Sequence, residues 1–156
     1  MTVLKKLRVA VSIYSDYRTR KESCTLFKGI KELIEVLHIK GYKLAILSNN
    51  KRSYVIDALA KEKLEDKFNQ ILGFNEISNT KPNPEGLFKI LEAENLTSDQ
   101  AIFIGDMPTD IQAGHNANIR AIGFASGLST KEKLATFNPF KLVNSVPELS
   151  KLLLGN

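Results

Sequence analysis

Residues 102–114 read IFIGDMPTDIQAG and join a short apolar run to a turn that carries two aspartates. A short apolar run without helical periodicity is typical of a buried strand. A helix is predicted from Asp110 to Ala117, and Asn118 is expected to end it because asparagine tolerates the left-handed conformation. The stretch therefore predicts a strand, then a turn with Asp106 and Asp110, then a helix.

The same alternation of apolar runs and amphipathic segments extends from residue 28 to the last residues of the sequence. The predicted helices cover 28–40, 54–62, 110–117 and 146–154, with another that begins at Pro84, and the predicted strands cover 43–47, 70–73, 101–104 and 120–124. Ser53 and Asn83 are expected to be N-caps, because serine and asparagine accept hydrogen bonds from the first turn of a helix. Alternation of this kind predicts an α/β fold in which a parallel sheet has helices on both faces.

The composition restricts the class of protein. The chain has 156 residues, a net charge of +5 and 25% charged residues, which is typical of a single globular domain. Lysine and arginine are scattered along the chain, so we expect no nucleic-acid binding. No apolar run is long enough to span a membrane. Cys24 is the only cysteine, which excludes an intrachain disulfide and favours a cytoplasmic protein.

Several polar residues follow predicted strands or precede a predicted helix, where a sheet of this class binds its ligands. These residues are Ser48, Asn49, Lys81, Asp106 and Asp110. Ligands of open α/β sheets bind outside the carboxyl ends of the strands. We therefore expect these residues to share one edge of the sheet.

The two aspartates suit a hard cation. Mg²⁺ prefers oxygen ligands and keeps several waters, so one carboxylate could bind it directly and the other through water. The alternative is that Asp110 or Thr109 only caps the helix that follows, as aspartate and threonine often do. The spacing of Asp106 and Asp110 fits both interpretations.

Lys81, Ser48 and Asn49 suit a phosphate group. The residue before a proline is extended, which could direct the Lys81 ammonium into the crevice, towards a phosphate or the paired carboxylates. Ser48 and Asn49 could bind phosphate oxygens together with backbone N–H groups near the next helix. The alternatives are an exposed lysine and an ordinary turn, which Ser-Asn-Asn forms readily.

Three segments together resemble a known family. They are LAILSNN (44–50), TKPNPEGL (80–87) and IFIGDMPTDIQAG (102–114). In this order they are similar to segments of the haloacid dehalogenase superfamily, above all of its phosphoglycolate phosphatases and their pyrophosphatase relatives. The resemblance extends from about Leu26 to Leu153 and implies a Rossmann-like core domain over residues 26–156.

The resemblance implies a Mg²⁺-dependent phosphatase-type hydrolase that acts on a small phosphorylated metabolite. In the family, a strand-end aspartate attacks the phosphoryl group to form an aspartyl-phosphate, and a second aspartate acts as acid and base. It implies further that Ser48 and Lys81 are catalytic, that Asn49 helps them to bind phosphate, and that Asp106 and Asp110 bind the metal. Phosphoryl transfer depends mainly on positioning and charge neutralisation, which these groups would supply.

The family's first motif, DxDGT, does not occur before Ser48, and Asp16 is the only aspartate in the first 56 residues. Without a nucleophilic carboxylate the covalent step has no route. Two hypotheses therefore stand. The chain is either an enzyme of this family, or a non-catalytic phosphate- and metal-binding module or one part of a split enzyme.

Residues 1–25 have two interpretations. In the first, which we favour, they are a remnant of the family's inserted cap domain, the chain begins inside that cap, and residues 4–14 form a helical stripe. In the second, residues 8–14 form a β-strand, because their apolar side chains alternate and several are β-branched. Asp16 would then be a substitute nucleophile, but Arg18 would occupy the acid/base position, where arginine cannot exchange a proton.

The family's first strand lies at the centre of its sheet, between the strands that correspond here to 43–47 and 101–104. An empty slot would leave backbone groups unpaired, at roughly 1–3 kcal/mol each. We therefore expect the slot to be closed, or to be filled by residues 8–14, by a partner chain, or by a second copy in a homodimer.

Overall fold

A six-stranded parallel sheet organises the part of the chain that the structure, a computed structural model, describes: residues 8–11, 26–125 and 129–155. Its strands are β1 Arg8–Val11, β2 Leu44–Leu47, β3 Gln70–Leu72, β4 Ala101–Gly105, β5 Arg120–Phe124 and β6 Lys141–Val143. The order across the sheet is β3-β2-β1-β4-β5-β6, and each neighbouring pair is parallel. The predicted α/β class with a parallel sheet is confirmed.

Helices cover both faces of this sheet. They are α1 Ile30–Ile39, α2 Arg52–Lys61, α3 Glu85–Ala93, α4 Pro108–Asn116, α5 Lys131–Ala135 and α6 Val146–Leu154. Alternate residues of β2 point to opposite sides, so Leu44 and Ile46 pack with α1, α2 and α6, whereas Ala45 and Leu47 pack with α3 and α4. This two-sided burial explains why β2 and β4 are apolar throughout.

Strand β1 occupies the centre of the sheet. It pairs with β2 on one side and with β4 on the other. The helix expected over residues 4–14 is therefore wrong at residues 8–11, and the alternative strand interpretation is correct there. The physical reason is that the central edges of β2 and β4 need backbone partners, and a local helical stripe cannot supply them. The division at residues 25 and 26 stays a prediction.

The starts of three helices differ from the sequence predictions. Helix α2 begins at Arg52, before Ser53, and the Arg52 N–H donates to Asn75 Oδ1 at 3.2 Å. This cap comes from a loop far away in sequence, which local patterns do not reveal. Pro84 is the N-cap of α3, although Asn83 Oδ1 still accepts from the Glu85 N–H at 2.9 Å. Helix α4 begins at Pro108 rather than Asp110.

Two short elements were not predicted from the sequence. They are α5 and β6, and each spans only a few residues. Their apolar patterns are too short to show a period. Among the helices in the described ranges, none combines the length and the apolar character needed to cross a bilayer.

Candidate active site

Ser48 and Asp106 lie at the same level of the sheet, at its carboxyl edge. Ala10 of β1 pairs with Ala45 of β2 and with Phe103 of β4. Ser48 and Asp106 each lie three residues beyond these partners, directly after their strands end. Since neighbouring strands are about 4.8 Å apart and β2 and β4 are separated by two strand spacings, their backbones lie at roughly 10 Å from each other. Both residues are buried, with 4% of their surface exposed.

Lys81 is directed into this edge from the loop before α3. Its ammonium lies 2.6 Å from Asp110 Oδ1 and 5.6 Å from the centre of the Phe103 ring. Only 8% of the residue is exposed, so the alternative of an exposed surface lysine is wrong. Of the partners proposed for it, the structure shows one carboxylate, that of Asp110.

Asp110 uses its two oxygens differently. Oδ1 accepts from Lys81, and Oδ2 accepts from the Met107 N–H at 3.0 Å at the start of α4. The helix-capping alternative is thus correct, but it accounts for only one of the oxygens. Capping fixes the orientation of the carboxylate, and this fixed carboxylate holds the lysine.

Gly105 makes this arrangement possible and was not identified from the sequence. A Cβ atom at this position would overlap the Asp110 carboxylate. Any other residue would displace the partner of Lys81. The signal that could have identified it is a glycine at the end of a buried strand, where another group approaches the backbone closely.

The Ser48–Asn49 segment forms a turn, as the alternative interpretation expected. Ser48 Oγ accepts from the Asn50 N–H at 3.0 Å, and the Ser48 N–H donates to the Leu72 carbonyl at 2.9 Å. The hydroxyl keeps its own hydrogen as a donor. Asn49 is exposed beside it. The turn therefore presents donors to the edge of the sheet that Asp106 also faces.

The loop that carries Lys81 is held by Glu85, the first residue of α3. The Glu85 carboxylate accepts from the Ser78 N–H at 2.8 Å and from the Asn79 N–H at 2.9 Å, and it lies 3.1 Å from the Lys89 ammonium. The Ser78 N–H, the Lys89 ammonium and the Asn79 amide lower the pKa of Glu85 to about 2.

The charges at this edge fit a divalent cation. One ammonium and two carboxylates, those of Lys81, Asp106 and Asp110, give a formal charge of −1. Carboxylate oxygens are suitable donors for Mg²⁺, which is often held by one or two of them together with water and phosphate oxygens. The described ranges contain no cluster of three or more metal-ligating side chains.

Three residues considered in the sequence analysis, Asp16, Arg18 and Cys24, lie outside the described residues. His38 and His115 are exposed.

Comparison with known proteins identifies a family. A family model described as haloacid dehalogenase-like hydrolase matches residues 2–124. The pyrophosphatase PpaX of Listeria welshimeri is 35% identical over 138 residues, which are 87% of this chain and 64% of that protein. A phosphoglycolate phosphatase of Vibrio vulnificus is 27% identical over 93% of this chain and 64% of its own length. The chain thus spans less than two thirds of these relatives.

A solved structure has the same fold. The crystal structure of a predicted phosphoglycolate phosphatase from Haemophilus somnus superimposes with a TM-score of 0.78 and 26% identity. The match covers 82% of this chain and 57% of that one.

Proposed function

This chain belongs to the haloacid dehalogenase-like hydrolase family. On this basis we propose that it takes part in the phosphatase-type hydrolysis of a small phosphate ester. The observation that supports the proposal most directly is the buried Lys81–Asp110 pair, together with a buried Asp106 on the sheet edge that Ser48 shares. The matched relatives are named pyrophosphatase and phosphoglycolate phosphatase. A phosphoryl group is the chemistry common to both names.

The residues at the edge would divide the work of binding the phosphoryl group. The Ser48 hydroxyl and Asn49 would donate hydrogen bonds to its oxygens. Lys81 would supply positive charge. Asp110 would keep the Lys81 ammonium in place, because Lys81 Nζ already lies 2.6 Å from Asp110 Oδ1. Positioning and charge neutralisation of this kind are the main requirements of phosphoryl transfer.

Asp106 and Asp110 would hold Mg²⁺, because both are buried carboxylates at this edge. When bound, Mg²⁺ would neutralise charge on the phosphoryl oxygens. Lys81 alone leaves this edge negative, which would disfavour an anionic ester.

The covalent step needs a carboxylate oxygen that attacks phosphorus while the bond to the ester oxygen breaks, followed by hydrolysis of the aspartyl-phosphate. Asp16 of this chain is one candidate. A carboxylate from a partner chain or a second copy is the other. We place this chemistry in the cytoplasm.

The experiment measures hydrolysis of para-nitrophenyl phosphate with Mg²⁺ by the wild type and by Asp106→Ala, Asp16→Asn and Asp57→Asn. Asp57 is exposed on α2 and serves as the matched control. Metal-dependent turnover that Asp106→Ala abolishes and Asp57→Asn leaves intact would support the enzyme. Loss of turnover in Asp16→Asn would identify the nucleophile.

The missing DxD motif favours a second candidate, a non-catalytic phosphate-binding module. It predicts no turnover, together with a melting temperature that rises with inorganic phosphate and Mg²⁺ in the wild type but not in Asp106→Ala. Absence of both turnover and stabilisation would contradict both candidates.

A further inference from the structure

We infer that Glu85 is a positioning residue that fixes Lys81 at the carboxyl edge of the sheet. Glu85 acts through the loop of residues 78–84, which comes directly before α3 and carries the lysine. Only the consequence for phosphate binding rests on the proposed function.

The Glu85 carboxylate closes this loop at its start. Oε1 accepts from the Ser78 N–H, and Oε2 accepts from the backbone and the side-chain amide of Asn79, at 2.9 and 3.0 Å. The Glu85 N–H in turn donates to Asn83 Oδ1 at 2.9 Å. The two sides of the loop thus meet at one residue, with Lys81 between them.

The loop has a second attachment on the side of α4. Asn116 Nδ2 donates to the Pro82 carbonyl at 3.0 Å. Asn116 is the last residue of the helix whose first turn carries Asp110. The backbone that presents Lys81 is therefore anchored both to α3 and to the helix that carries the lysine's partner.

A helix-stabilising role alone does not account for the direction of these bonds. A glutamate in a first turn stabilises its helix through the dipole wherever its oxygens point. Here the oxygens point back to the N–H groups of the loop. Bonds from N–H groups to a carboxylate are stronger than neutral ones. Their loss should let the loop open locally while the sheet stays folded.

The first experiment measures how fast the Lys81 amine is acylated by an N-hydroxysuccinimide ester, site by site, by mass spectrometry. In the wild type, the lysine is protected by burial and by Asp110. We expect Glu85→Ala to raise its labelling rate about tenfold, the change that follows from losing charge-assisted bonds of ordinary strength. Glu85→Gln, which keeps an acceptor but no charge, should give a smaller increase.

The matched control is Glu92→Gln, because Glu92 is an exposed glutamate on the same helix. It should leave Lys81 labelling unchanged. Amide hydrogen exchange in β4 distinguishes local opening from global unfolding, since only the latter exposes the central strands. Unchanged Lys81 labelling in Glu85→Ala, or labelling that rises only in parallel with β4 exchange, would overturn the inference. If Glu85→Ala does not fold, Glu85→Gln takes its place with the same criteria.

The second experiment measures the affinity for inorganic phosphate of the wild type, Glu85→Ala, Lys81→Met and the double variant. If Glu85 acts through Lys81, Glu85→Ala should weaken phosphate binding in the wild-type background. It should have no further effect in the Lys81→Met background. Equal losses in both backgrounds would overturn this route. If the wild type binds no phosphate, the proposed function fails, while the labelling experiment still decides the role of Glu85.

Discussion

The two edges of the sheet each hold a buried acid paired with a lysine, but in different surroundings. At the carboxyl edge, Lys81 and Asp110 have 6% and 3% of their side chains exposed, and Asp106 is also buried at this edge. At the amino edge, Glu94 pairs with Lys43 at 2.8 Å, and 38% of that lysine side chain is exposed.

The neighbours of the two acids also differ. Glu94 accepts from Gln70 at 2.9 Å as well as from Lys43, and it lies at the C-terminal end of α3. At the amino edge, the single carboxylate of Glu94 thus links the end of α3 to β3 and to the start of β2. The carboxyl edge holds a second buried carboxylate, that of Asp106, in addition to its ion pair. Several buried ionisable groups at one edge are typical of an active site, whereas a structural contact usually needs only one ion pair.

The largest difference between the edges should come from removing each lysine. Lys81→Met should lower the free energy of unfolding by about 3–5 kcal/mol, because it leaves Asp110 buried without its partner. Lys43→Met should cost about 0–1 kcal/mol, since the ion pair is partly exposed and Gln70 remains. Urea denaturation measures both variants. Equal losses would remove the contrast between the edges.

Strand β4 connects the two edges, so its two ends offer a matched test. Gly105→Ala should cost about 1–3 kcal/mol, because the added Cβ overlaps the Asp110 carboxylate. Ala101→Gly, at the amino end, should cost about 0.5–1 kcal/mol through backbone entropy. Both are measured by denaturation. A Gly105→Ala variant as stable as Ala101→Gly would show that the carboxyl edge can accommodate a side chain.

The carboxyl edge also depends on contacts between loops. Asn75→Ala should lower stability by about 1 kcal/mol, because it removes the acceptor of the Arg52 N–H at the start of α2. Ser53→Ala, the cap expected from sequence, should change stability by less than about 0.5 kcal/mol. Thermal unfolding of the two variants compares them directly. A larger loss of stability in Ser53→Ala than in Asn75→Ala would show that Ser53 is the cap of α2.

The smallest effect concerns Glu85, whose contacts are partly open to solvent. Its pKa of about 2 lies below the ordinary 4.5. Between these values the unfolded chain binds more protons, so this contribution to stability is present above about pH 4.5 and is lost as the pH falls towards 2. The melting temperatures of wild type and Glu85→Gln should converge over that window. Those of wild type and Glu92→Gln should keep a constant difference.

Much of the fold could be predicted from the sequence, because most elements have long or well-bounded patterns. The strand at 120–124 and the helix at 146–154 agree with β5 and α6 residue for residue. Asn118 has the predicted left-handed φ of 55°. The helical stripe that we favoured is wrong at residues 8–11, since the apolar side chains there also fit a β alternation and the local pattern does not decide between the two.

The candidate site was predictable in its placement and not in its contacts. Ser48 and Asp106 follow buried parallel strands, and such positions must share an edge. The pairing of Lys81 with Asp110 links residues 29 positions apart, so it depends on how two loops meet. Gly105 and Glu85 carry no obvious chemistry of their own, and only the groups around them show their effect.

The sequence by itself determined the alternation of helices and strands and the residues that follow the strands, because periodicity and strand-end positions are local properties. Only the tertiary structure decided that Arg8–Val11 fills the central slot, that a distant asparagine caps α2, and that a buried lysine binds Asp110. Each of these depends on satisfying backbone groups or charges that the fold buries, and burial exists only once the chain has folded.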